Sequence, residues 1–233
     1  MPLTSIQDLL PLVDKPSRYL GTEINTCKKD LSKVKLKIAL AFPDLYEIGT
    51  SHFGLQILYH ILNQRRDIAA ERVFSPAEDM ELLLRSSRVP LASLESQYPL
   101  HRFDIIGFSL LYELNYTNML TILDLGGVPF YASQRAGSDP LIIAGGPCVS
   151  NPEPVADFFD AMVIGDGEGV ILEMADIRMQ MENDGVLDKK ALLKKWSRLE
   201  GVYVPSAFQV TYNEKGHQIT RPLKETGRER VKR

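Results

Sequence analysis

Apolar residues in this chain come in short runs, and most runs end on glycine, proline or a polar turn. Val34–Phe42 (VKLKIALAF) alternates at first and is then wholly apolar, which predicts a strand entering a sheet covered on both faces. Phe103–Leu110, Pro140–Ala144 and Phe158–Ile164 are further runs of strand length, and Arg72–Phe74 predicts a shorter one. Between them, apolar positions recur at helical spacing in Phe53–Asn63 (FGLQILYHILN), in Ala77–Arg88 opened by Ser75-Pro76, in Leu114–Leu125 closed by Gly126-Gly127, and in Gly167–Met181. Asn151-Pro152-Glu153 predicts the cap of a short helix, and Leu91–Tyr98 a small extra element. Five strands alternating with helices predict an α/β fold, a three-layer doubly wound (Rossmann- or flavodoxin-like) five-stranded parallel sheet.

The flanks differ. Residues 1–33 predict an N-terminal arm: a short helix from Thr4 to Leu10 capped by Thr4 or Ser5, broken by Pro11 and Pro16, then a polar extended stretch. Residues 34–184 are expected to form the α/β domain. Residues 185–233 predict a helix (Leu187–Trp196), then a small β unit with strands at Val202–Val204 and Phe208–Tyr212, a turn at Asn213–Gly216 and a return strand. The tail from Arg221 is rich in Arg and Lys, has no apolar stripe, and reads as a linker.

Right-handed crossovers place the loops after the first, third, fourth and fifth strands on one edge, where open α/β sheets bind ligands. Two of these loops are glycine turns, Gly145-Gly146-Pro147 and Gly165-Asp166-Gly167. A single such turn is most simply a tight connection; two in succession on one edge make a backbone-lined cleft. A phosphate cradle there needs a Lys or Arg. None lies in the four loops, and the fifth carries Asp166 and Glu168 instead, acceptors for hydroxyls and amides. The cleft therefore suits a large, weakly charged ligand or another protein domain. Asp44 with His52 hints at acid–base chemistry, but no nucleophile accompanies them, and a lone His before an apolar helix reads as structural. Cys148 sits near a helix start where a thiolate gains stability, yet it reads as a small, partly buried residue; Phe103, Phe108, Phe158 and Phe159 read as core.

Composition narrows the classes. The 233 residues are 44% hydrophobic and 24% charged with net charge -3, ordinary for a globular protein and no sign of a nucleic-acid partner. No apolar run reaches membrane-spanning length, and no signal peptide is evident. Two cysteines imply no disulfide framework, and metal-ligand spacing is absent, so a cytoplasmic location is expected.

Asp44-Leu45-Tyr46-Glu47-Ile48-Gly49, then Ser109-Leu110-Leu111, then Gly145-Gly146 resemble the DxHxxG … SxL … GG pattern of cobalamin-binding domains. Over Arg18–Pro205, through FPDLYEIGTSHFGLQILYHILN, ERVFSPAEDME and IIAGGPCVSNPEPVADFFDAMVIGDGE, the chain is similar to the N-terminal cobalamin-binding-like domain of a family of radical SAM proteins. The resemblance implies cobalamin as cofactor, with Asp44, Tyr46, Gly49, Ser109, Leu111, Gly145, Gly146, Gly165, Gly167 and Glu168 as candidate cofactor-binding residues; Ser109, Gly145 and Gly146 would line the pocket for its nucleotide tail. Tyr46 stands where the pattern has the histidine that ligates cobalt, and tyrosine is a poor replacement. The iron–sulfur cluster of radical SAM chemistry needs a CxxxCxxC arrangement that this chain lacks. The resemblance therefore implies an accessory domain without catalytic or metal-ligating residues, whose partner is a radical SAM barrel, in cis or in trans, that holds the cluster and S-adenosylmethionine. The alternative is a docking module that has lost cobalamin.

Overall fold

The computed structural model describes residues 3–223 and Val231; the rest of the basic tail, expected to be a linker, lies outside them. In chain order the elements are α1 (Ile6–Leu9), β1 (Leu36–Phe42), α2 (Tyr46–Gly49), α3 (Phe53–Gln64), β2 (Ile68–Phe74), α4 (Glu78–Ser87), β3 (Ile105–Ser109), α5 (Asn115–Leu125), β4 (Leu141–Gly145), β5 (Ala161–Val163), α6 (Gly167–Asn183), α7 (Lys189–Trp196), β6 (Val202–Tyr203), β7 (Phe208–Tyr212) and β8 (Gln218–Pro222). The sheet order is β2-β1-β3-β4-β5-β6. The first five strands are parallel, as expected, and the order reverses between β1 and β3, the point at which such sheets bind ligands.

The two faces of the sheet are covered by different helices. One core joins Leu9, Met80, Leu84, Met119, Ile122 and Phe108, from α1, α4, α5 and β3. The other joins Leu55, Leu62, Ile171, Met174, Leu192 and Trp196, from α3, α6 and α7. Strands buried on both faces explain why their sequences are wholly apolar runs rather than alternations.

Three expectations need correction. The sheet has six strands rather than five: Val202–Tyr203 pairs antiparallel with β5 (Met162 with Tyr203, Val163 with Val202), so the small β unit is reduced to the β7–β8 hairpin. Strand β2 begins at Ile68, four residues before the Arg72–Phe74 triplet that predicts it. The missing half contains Glu71, which is buried because Ser93 and Ser96 donate to its carboxylate. The connection from β4 to β5 holds two 3-10 segments, Pro147–Ser150 and Glu153–Phe158, in place of the expected helix; Pro147, Pro152 and Pro154 deny it the backbone donors a longer helix requires.

Candidate functional site

A cleft of about 270 Å³ opens at the carboxyl edge of β1, β3, β4 and β5, between the N-termini of α3 and α6. Its walls are apolar (Leu40, Leu58, Leu111, Ile143, Val163, Ile171), and its rim carries Ser109, His52, Asp166 and Glu168. No Lys or Arg is among its described lining residues.

The two glycines of the first turn differ in their reasons. Gly146 has φ +104°, and a Cβ on it would lie 2.6 Å from the Leu110 carbonyl oxygen. That close approach lets the Leu110 N–H donate to Gly145 at 2.8 Å and closes the turn. A Cβ on Gly145 would meet nothing within 4 Å. Packing therefore does not demand glycine at 145; what its absence of a side chain leaves is room in the cleft.

Of the sequence-predicted residues, the fold brings Ser109, Leu111, Gly145, Gly146, Gly165, Gly167 and Glu168 together around this cleft. Asp44, Tyr46 and Gly49 lie apart from its lining. The Asp44 carboxylate accepts the Leu45 N–H at 2.8 Å and the Tyr112 hydroxyl at 2.7 Å, so it ties the loop after β1 to the loop after β3. Gly49 packs against the rings of Phe74 and Phe42, where a side chain has no space. The Tyr46 hydroxyl donates to Glu23 of the arm at 2.8 Å, and its ring stands edge-on to Phe74 at 5.5 Å. Burial and the Glu23 carboxylate push the Tyr46 phenol up to about 12, which keeps it protonated. It faces a separate cavity of about 630 Å³ that includes Tyr59 and Arg72.

His52, expected in a loop that converges on this edge but not among the candidate cofactor-binding residues, also lines the cleft. It is the N-cap of α3, its Nδ1 accepting the Leu55 N–H at 3.2 Å. The structural role read from its position holds, and the same ring also lines the cleft. Burial holds it below its ordinary value, so it is neutral at pH 7. Cys148 is partly buried, and burial pushes its thiol up, away from a reactive thiolate. Among the described residues no three His, Cys, Asp or Glu side chains group to hold a metal ion, and no helix is long and apolar enough to cross a membrane.

Comparison with known proteins adds three findings. A curated but uncharacterized protein of Methanocaldococcus jannaschii is 26% identical over 159 residues, covering 67% of this chain and 30% of its own length. The radical S-adenosylmethionine methyltransferase TsrM from Kitasatospora setae, solved with tryptophan substrate and a SAM analog, is 13% identical with a TM-score of 0.41; the match covers 77% of this chain and 29% of TsrM. The chain thus spans under a third of the length of either. A family model described as radical SAM proteins, N-terminal, matches residues 54–205. Since that match takes in α3 through β6, more than half of the chain and most of the cleft, this protein belongs to the N-terminal region family of radical SAM proteins.

Proposed function

We propose that this chain is an accessory cofactor-binding domain that holds the nucleotide tail of cobalamin in the β1/β3/β4/β5 cleft and presents the cofactor to a radical SAM barrel carrying the iron–sulfur cluster and S-adenosylmethionine. The observation that carries this reading is the space over Gly145 within a cleft that has apolar walls, hydrogen-bonding edges and no cationic side chain. A buried aromatic base of low charge fits that chemistry, whereas a bare phosphate does not. Ser109, Leu111, Gly145, Gly146, Gly165, Gly167 and Glu168 would hold the group. Cobalamin, when bound, supplies the cobalt–carbon chemistry and the protein supplies binding and orientation. Tyr46 has no part as a cobalt ligand in this reading, because its protonated hydroxyl is committed to Glu23.

Anaerobic titration of the chain with hydroxocobalamin, followed by visible absorbance and equilibrium dialysis, tests the proposal. Saturable binding is expected, abolished by Gly145→Trp, which fills the cleft without meeting protein atoms at its Cβ, and unchanged in Tyr46→Phe. Binding that survives Gly145→Trp would place the cofactor elsewhere.

A second reading is a docking module that has lost cobalamin and uses the same edge to seat the barrel. Phe53 and Leu114, in the elements that follow β1 and β3, are 77% and 79% exposed, and Ile48 and Tyr112 beside them are also exposed. Four exposed, largely apolar side chains in the segments after β1 and β3 favour a protein contact at this edge. Absence of cobalamin binding at saturating cofactor decides for this reading.

A further inference from the structure

The cap on α3 dictates which proton the His52 ring carries. Because Nδ1 accepts the Leu55 N–H, its lone pair is used inside the helix and the neutral ring holds its proton on Nε2. Nε2 makes no hydrogen bond to the described residues, while the ring, packed 5.3 Å from Phe42, forms part of the cleft wall. The charged side chains of the cleft, Asp166 and Glu168, are acceptors only. An acceptor on a cleft ligand thus has His52 and the Ser109 hydroxyl as its side-chain donors.

Resting on the cobalamin reading, we propose that His52 is a specificity-determining residue of the cleft, donating Nε2–H to an uncharged acceptor on the nucleotide tail, and that it is not a ligand to cobalt. Coordination through Nε2 would move the proton to Nδ1, set two N–H groups against each other at Leu55, and cost α3 its cap. The histidine that the cobalamin motif lacks at Tyr46 is therefore not replaced six residues later. The class of group selected is an aromatic or amide acceptor of no net charge, since a ligand carboxylate or phosphate would face Asp166 and Glu168.

The full 233-residue chain, its His52→Asn variant and its His52→Ala variant should be titrated with hydroxocobalamin and with cobinamide, which has no nucleotide tail. Asparagine keeps an N-cap acceptor but removes the ring donor. For His52→Asn, an increase of about fivefold in the Kd for hydroxocobalamin is expected, the effect of one neutral hydrogen bond, with an unchanged melting temperature and unchanged cobinamide binding. His52→Ala should show the same loss of affinity together with a lowered melting temperature. Cob(II)alamin bound to protein labelled with [15N]histidine should show no 15N splitting in its EPR spectrum. Equal hydroxocobalamin affinity in wild type and His52→Asn, an equal loss for cobinamide, or 15N splitting would each overturn the assignment of His52 alone. A wild-type chain that binds no cobalamin would overturn the cofactor reading and this inference together.

Discussion

At the scale of the residue, neighbours of identical type carry opposite physical demands. Gly145 and Gly146 are adjacent, yet only Gly146 is compelled by φ +104° and by the Leu110 carbonyl. Gly146→Ala is expected to destabilise the fold by about 1–3 kcal/mol, the cost of a strained left-handed backbone made worse by contact. Gly145→Ala should stay within about 0.5 kcal/mol. Paired urea denaturation curves at pH 7 check the contrast; equal losses would show that the open space over Gly145 is not there in solution. The DxxxxG spacing of Asp44 and Gly49 and the GG pair were legible as a motif, but not which side of the loop each side chain takes. Tyr46 turns toward Glu23, 23 positions earlier in the chain, and no local pattern encodes that partner.

At the scale of the element, the N-terminal arm is fastened by charge. Arg18 pairs with Glu47 at 2.9 Å, the Asp14 N–H donates to Asp79 at 2.7 Å, and Glu23 takes both the Tyr46 hydroxyl and Arg72. Lys29 Nζ caps the end of α3 through the Asn63 and Arg65 carbonyls. The Arg18 hydrogen bond holds the Glu47 carboxyl below its ordinary value, and the Asp14 N–H does the same for Asp79. Burial alone would raise Glu23, but its hydrogen bonds with Tyr46 and its own backbone and the charge of Arg72 outweigh it and leave it lowered. For a carboxyl depressed in the folded state, the stability it confers is complete above the ordinary value, 4.5 for Glu and 3.8 for Asp, and is lost as pH falls through the folded value. Acid is therefore expected to release the arm before the sheet opens. Limited proteolysis with pepsin at a series of pH values from about 5 to about 2.5 should cut first within residues 10–33; first cleavage inside the α/β core would contradict this. The arm's sequence showed a polar, proline-broken segment, but its anchoring depends on acids in α2 and α4 and on Arg72 in β2.

At the scale of the molecule, a buried charge cluster joins the C-terminal helix to the sheet. Asp160, at the entrance to β5, accepts from Arg135 at 3.0 Å and from the Ile142 N–H at 2.8 Å, and Lys189 at the start of α7 lies 2.8 Å away. Arg135 and Asp160 side chains are fully buried, and Arg135 also donates to the Pro129, Phe130 and Phe158 carbonyls. Asp160→Asn is expected to cost about 3–5 kcal/mol, because it strands a buried guanidinium. Thermal and chemical unfolding would measure it, and a loss under 1 kcal/mol would show that the neutral amide satisfies Arg135 equally well. The cluster also explains why α7 and β6, set apart from the α/β domain by the sequence reading, pack on its sheet: Lys189 anchors α7 there, and Trp196, fully buried, donates to the Met174 carbonyl of α6 at 3.0 Å.

What the sequence determined by itself is the α/β alternation, the five parallel strands, the edge at which their loops meet, and most of the glycine-lined cleft. These follow from local quantities: apolar runs report burial on both faces, and the handedness of crossovers follows from chain chirality. Only the tertiary structure decided that Glu71 lies inside β2, that Val202–Tyr203 completes the sheet, that Tyr46 turns to the arm and that the ring of His52 caps α3 while lining the cleft. Each of those depends on a partner far along the chain or on the side of a loop a residue takes. Burying a polar group is favourable only when that partner arrives, and no window of sequence contains both.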